Sequence, residues 1–343
     1  MKKSILLTAI ICSFLALQTA IAQNPVTTLQ HNGTTQTFYG QNSFVDAYNA
    51  SINGDMLYLS TGFFTSPPSI AKGVKIIGAG HFPDSAGVAK RTFILTGLHI
   101  AQGADSLLLE GLYINGGIGY DDNSINYVKV LRCWLNGAWF NSSSETASKN
   151  NCSYEECFIN GGIDFSHYGN NLLLKHNIIS GGIFDNASVV NINGNALIDG
   201  NIFLYYYRAF TYVNSSIIQN NIFISINLFN YGVGNSINNN LFVQSSIYFG
   251  INSYSNNYLG IPQADIFVSQ SGNEIDYTHD YHLQHPDLYI GTDGTQVGLY
   301  GGSIPFKDKG KPSNPQVISK NIATETDANG NLPISITVEA QDN

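Results

Sequence analysis

Arg132, Glu156 and His176 recur at one place in a repeating chain, directly before Cys133, Cys157 and Asn177. One residue earlier stand Glu155 and Lys175. If the repeats stack as strands, successive members lie about 5 Å apart, and Arg132 and His176 flank Glu156. Such a group could hold a sugar acid, or move a proton with Arg132, Glu156, Lys175 and His176 as the catalytic set. The plainer reading is a ladder of opposite charges on a surface, which contributes little energy.

Two further groups could bind a ligand. Tyr205, Tyr206 and Tyr207, with Phe210 and Tyr212 close behind, would offer faces for sugar rings wherever they point outward. Asp121 and Asp122 follow Gly119-Tyr120 and otherwise read as a solvated turn. His279, His282 and His285 lack the spacing of a metal motif, and read as packing and turn. No metal site is expected. Cys133, Cys152 and Cys157 remain once Cys12 leaves with the leader; an odd number is no disulfide framework, and buried packing is expected.

The elements that must position these residues come from an internal repeat. Ile114-Asn115-Gly116-Gly117-Ile118 returns as Ile159-Asn160-Gly161-Gly162-Ile163 and Ile179-Ser180-Gly181-Gly182-Ile183. A second form runs Asn201-Ile202-Phe203, Asn221-Ile222-Phe223, Asn240-Leu241-Phe242, Asn257-Tyr258-Leu259. Aligned on the last apolar residue, one column reads Leu59, Ile77, Leu95, Ile114, Leu135, Ile159, Ile179, Phe203, Phe223, Phe242, Leu259, at steps of 17 to 24 residues. Before it, Val128 and Val130, Leu172 and Leu174, and Ala196 and Ile198 alternate, the signal of a half-buried strand. The expectation is an all-β, right-handed parallel β-helix of about 11–12 coils, three short strands to a coil.

Two residues before the column stand Asn177, Asn201, Asn221, Asn240 and Asn257, with Cys133 and Cys157 in earlier coils. Asn tolerates a left-handed bend and can bond its own copies above and below. This resembles the asparagine ladder of the pectate-lyase-like β-helix superfamily, over residues 54 to 302. Asp280-Tyr281-His282-Leu283 and the stretch Gly294 to Gly302 resemble the closing segment of secreted β-helix proteins of Bacteroidetes type, and imply an end coil. The resemblance implies a fold shared by lyases, hydrolases and adhesins. In the lyases a Lys or Arg removes a proton beside a uronate carboxylate that calcium can neutralise; in the hydrolases, clustered aspartates are acid and base. The hydrolase motifs Asn-Thr-Asp, Gly-His-Gly and Arg-Ile-Lys are missing here, and of the pattern only Asp121-Asp122 is present.

The remaining segments read as follows. Residues 1–22 form an export signal: Lys2 and Lys3, an apolar stretch from Ile5 to Leu17, and Ala20-Ile21-Ala22 before Gln23. Its removal takes the formal charge from −9 to −11, since it carries two of the 15 basic and none of the 24 acidic side chains. That excess speaks against nucleic acid and anionic membranes as partners, and no membrane span is expected in the mature chain. Residues 23–302 are the β-helix, with Ser43 to Tyr48 as a capped helix plugging its start and Asp46 three residues after Ser43. Residues 303–316 are a Pro-rich linker, and 317–343 a β-hairpin tail, which needs the solenoid or a partner to pack on. The function expected is a secreted or cell-surface β-helix, non-catalytic, binding glycans or serving adhesion, without cofactor. The alternatives are a polysaccharide lyase or glycoside hydrolase acting on acidic polysaccharide, with calcium if a lyase, and a structural envelope protein.

Overall fold

A computed structural model describes residues 24–83, 91–140, 147–164, 169–181, 183–184, 195–204, 209–211, 213–224, 229–230, 232–310, 312 and 316–339. Residues 1–22, read above as an export signal, and Tyr205, Tyr206 and Tyr207 lie outside these residues. The chain forms a parallel β-solenoid of about eight turns, followed by small antiparallel hairpins. Three sheets run along it, of 12, 10 and 7 strands, entered in that order in each coil. In one coil Leu172–Lys175 belongs to the first sheet, Ile178–Ile179 to the second and Ile183–Phe184 to the third.

The apolar column is in register from Ile114 to Leu259: Leu135 pairs with Ile159, Ile159 with Ile179, and so on through Phe203, Phe223 and Phe242. Its first three expected members fall elsewhere. Leu59 and Ile77 sit on first-sheet strands, and the second-sheet partner of Ile114 is Ile94, not Leu95. That shortens the run from the eleven coils expected. Early coils have longer, irregular turns, so counting back from the repeat drifts out of phase.

From the third coil on, the chain bends from the first to the second sheet on a single residue with left-handed φ: Gly111, Arg132, Glu156, His176, Gly200, Asn220, Asn239, Asn256. The left-handed residue is therefore the one before the ladder asparagine, and not the ladder asparagine as expected. Asn177, Asn201, Asn221 and Asn240 are wholly buried. Each Nδ2 donates to the next Oδ1 at 2.8–3.1 Å, and each backbone N–H to the same oxygen at 2.8–2.9 Å. Cys157 continues the line: its N–H donates to Asn177 Oδ1, and its Sγ accepts from Cys133 N–H. All three cysteines are buried and free. A shorter ladder of Ser216, Asn235 and Asn252 marks the corner entering the first sheet.

The N-terminal end is closed. A hairpin, Val26–His31 with Thr34–Tyr39, adds to the first sheet, and the helix Ser43–Ala50 buries Phe44 and Ala47 against the first coils. Asn42, not Ser43, is the N-cap, and Ser43 Oγ bonds Thr27 Oγ1 at 3.0 Å; the expected Ser43–Asp46 cap does not form. The C-terminal hairpin pairs Gln316–Ile322 with Ile334–Glu339, and Ile334, Ile336 and Val338 are more than half exposed.

The ladder predicts its own mutational pattern. Asn221→Ala strands the N–H of Asn201 and the carbonyls of Ile198 and Gln219 in a dry interior. Denaturant unfolding should show a loss of about 2–4 kcal/mol, one to three kcal/mol per stranded group with partial relaxation. Asn257→Ala, at the half-buried last rung, should lose under about 1 kcal/mol.

Candidate functional site

The residues after Leu259 do not close another coil, as the Tyr-His-Leu resemblance implied. They turn at Gly260 and run back along the outside of the second sheet as a strap. Its course follows the left-handed corners in reverse. Asn239 Nδ2 donates to Ile290 O (2.9 Å), Thr292 N to Asn220 Oδ1 (2.8 Å), Gly298 N to Asn220 O (2.7 Å) and Lys307 N to Glu156 Oε2 (3.2 Å). Gly310 finally abuts His81.

The sequence carries a reason for the strap. In Asn-Ile-Phe both apolar residues of the second-sheet strand need cover, because neighbours in a strand face opposite ways. Phe203, Phe223 and Phe242 stack in the core, with centroids 4.8 Å apart. The residues before them, Ile202, Ile222 and Leu241, with Phe158 and Ile178, face outward and are buried under Tyr281, Leu283, Tyr289, Val297, Leu299 and Phe306. Five such side chains at about 1.5–3 kcal/mol each make this second core a large part of the stability.

The charged column is brought together as expected, but beneath the strap and not at a surface. Arg132 donates to both carboxylate oxygens of Glu156 (3.1 and 3.3 Å) and lies 3.4 Å from Glu110. All three are about 95% buried. His176 is buried beside Gly200 and the strap glycine Gly302. Burial, then the Lys175 ammonium, push its pKa down to about 4 against the pull of Asp293. Glu155 pairs with Lys129 at 2.9 Å, and Lys175 lies beside Asp199 in the first sheet. Of these groups Glu156 bonds the strap and His176 lies against it, while Lys129, Glu155 and Lys175 stay on the first sheet.

Asp121 sits in a turn, as read. Burial raises its pKa, but hydrogen bonds from Asn123 and Gln102 outweigh it and hold the carboxyl below its usual value. Asp122 is exposed beside it. Both face the buried Lys149 electrostatically, at the end of a third-sheet strand and not on the second sheet that the strap covers.

The strap creates a cleft that no sequence pattern announced, of about 230 Å³, where Asp276–His282 and Tyr300–Lys309 meet Phe82 and Phe158. That is room for one ring-sized group, below the ~300–1,000 Å³ of larger ligand sites. Its walls are aromatic. Tyr277 stacks on Phe158 (5.4 Å, 22°) and meets Phe82 edge-on, and His282 stacks flat on Tyr300 (3.7 Å, 11°). Its rim is acidic: Asp276, Asp280 and Asp308, against Lys309 as the one cation among the lining residues. Hydrogen bonds from His282 hold Asp280 below the usual carboxylate range, and those from Thr278 do so for Asp276. Asp280 Oδ1 lies 2.7 Å from His282 Nδ1. Tyr300 donates to Asp308 (2.8 Å), and burial, then that bond, raise its phenol pKa. Of these residues the sequence names His279 and His282 as packing and turn, and Asp280, Tyr281 and Tyr300 within the end-coil resemblance; none of them is read there as a ligand site. The sign it missed is the density of Tyr and Phe after the repeat ends.

An aromatic row elsewhere offers less. Phe93, Tyr113 and Trp134 stack on one another (4.7 and 4.2 Å) outside the second sheet, with Arg91 over Tyr113. Their faces are spent on each other, so mainly edges reach solvent. Among the described residues no cluster of His, Cys, Asp and Glu could hold a metal, and no helix is long and apolar enough to cross a membrane. Compared with family models, with curated proteins and with solved structures, the chain matches none.

Two outcomes are expected of the buried column. Arg132→Ala takes the guanidinium from between the buried carboxylates of Glu110 and Glu156 and should lower unfolding free energy by about 3–5 kcal/mol. His176 is protonated in the unfolded chain near pH 6.5, but in the fold only near 4. Its contribution is therefore intact above pH 6.5 and lost as pH falls towards 4, by about 3 kcal/mol. In His176→Asn, which puts the residue of the later corners at this one, that part of the acid loss should vanish from unfolding curves taken at pH 7, 5.5 and 4.

Proposed function

We propose that this protein is a secreted or cell-surface solenoid of the pectate-lyase-like superfamily that binds glycans without cleaving them, through the cleft between strap and solenoid. The observation that carries the reading is the cleft's pairing of aromatic walls with an acidic rim. A pyranose presents C–H groups to an aromatic face and hydroxyl donors to its edge, and carboxylates accept hydrogen bonds from those donors. The anionic rim favours neutral or amino sugars and repels uronates and sulfated sugars. The same charge speaks against acidic polysaccharide, the substrate of the lyase alternative. That alternative also has to draw on Arg132, which is engaged by two buried carboxylates. The asparagine-rich, charge-poor surface and the export signal read from residues 1–22 support a place outside the cytoplasm.

A glycan array carrying neutral, amino and acidic oligosaccharides tests the reading, with calorimetry on the best ligand. Retention of neutral or amino sugars is expected. Tyr300→Ala and Asp280→Asn should each weaken binding by about tenfold or more, roughly 1.4 kcal/mol. Release of unsaturated products or reducing ends from polysaccharide, abolished by Arg132→Ala with the fold intact, would replace this reading with the lyase.

A further inference from the structure

The two ends of the solenoid are treated differently. At the N-terminal end, helix and hairpin cover the core. At the other end the core columns run out into solvent. On the first sheet the inward column Leu174, Ile198, Ile218, Ile237 is wholly buried, and its next member, Tyr254, is 62% exposed. On the second sheet Phe203, Phe223 and Phe242 are wholly buried, and the next member, Leu259, is 40% exposed. Phe249 lies over Phe242 and Tyr254 and covers part of the opening. Tyr248 and Ile251 beside it are 88% and 78% exposed. Among the described residues, strands Ser253–Ser255 and Tyr258–Leu259 are the last of their sheets, and one side of each has no neighbouring strand.

Such an edge is usually blunted by charge, proline or a covering element. This one carries no charge. From Ala209 to Ala264 the chain contains no Asp, Glu, Lys, Arg or His, in a protein of formal charge −9. Copies of an acidic protein repel one another over most of their surface. At this end they do not, and there each presents uncovered core and unpaired strand edges.

We propose that the C-terminal end of the solenoid is a self-association surface, on which a second copy of this chain docks end to end about a twofold axis. The twofold arrangement sets identical edges against each other, Ser253–Ser255 against its own copy, and brings Tyr254 and Leu259 of both copies into one closed core. It closes the assembly at two copies, because the other end of each is capped. The C-terminal hairpin, with Ile334, Ile336 and Val338 exposed, is the competing occupant. Its chain leaves the body at Pro312, beside Gly80 and Gly111 in the early coils. Binding the far end of the next copy would then generate an open, growing chain.

Sedimentation velocity on the full chain after export, from micromolar to about 100 µM, measures the state directly. Particles of twice the monomer mass are expected. Tyr254→Lys and Ser255→Lys place a charge on an exposed core position and on the edge strand. Each should raise the dimer dissociation constant by about tenfold or more, with an unchanged far-ultraviolet circular dichroism spectrum. Ser255 is an exposed, outward residue, so that variant keeps the test valid if Tyr254→Lys disturbs the last coil. A wild type that stays monomeric across the range, a dimer indifferent to both substitutions, or assemblies that grow beyond two would each overturn the proposal.

Discussion

Between the first and second sheets every middle coil turns on one residue held in the left-handed region. That conformation costs a side-chain-bearing residue about 1–2 kcal/mol. It lets two strands meet at a corner with two residues between them, the left-handed one and the one after it, which turns inside at the same height in each coil. Where that residue is asparagine, its amide reaches the corresponding asparagine of the next coil and closes a line of hydrogen bonds through a dry interior. The pitch, the register of the core columns and the stacking of Phe203, Phe223 and Phe242 all follow from that repeated corner.

The corner also directs a side chain outward along one line of the molecule, and the chain uses this line twice. In later coils Asn220 and Asn239 offer their amides to the backbone of the strap. In earlier coils Glu156 accepts a strap N–H while Arg132 neutralises it from below. Charged residues in strained corners point to a purpose, and here the purpose is attachment. The strap in turn covers the outer apolar residues of the second sheet and, where its two loops diverge, leaves the aromatic cleft. Solenoid, strap and cleft thus form one chain of dependence that begins at the corner.

Legibility followed periodicity. The solenoid, the ladder and the stacking of Arg132, Glu156 and His176 could be read because each recurs once per coil. The N-terminal hairpin was also written locally, in the Asn32-Gly33 turn with both φ positive, yet it precedes the repeat and went unread. The cleft has no such signature. Its walls come from Phe82, Phe158, Tyr277 and Tyr300, and His81 meets Tyr277 at 3.0 Å across 196 residues. No spacing rule spans that distance.

The amino-acid sequence by itself determined the coil: alternation chose strands, the twenty-residue period chose stacking, and asparagine two places before the column chose the buried ladder. These are local choices, repeated until a cooperative structure results. Only the tertiary structure decided what became of the column of charges that the repeat aligned. A stacked Arg, Glu and His can be a surface ladder, an open site or a buried anchor with the same spacing. Which of these it is depends on whether another part of the chain returns to cover it. That return is made by the aperiodic residues from 260 to 310. Their course is set by burial of Ile178, Ile202, Ile222 and Leu241, and by hydrogen bonds to distant corners, interactions that exist only once the solenoid has formed.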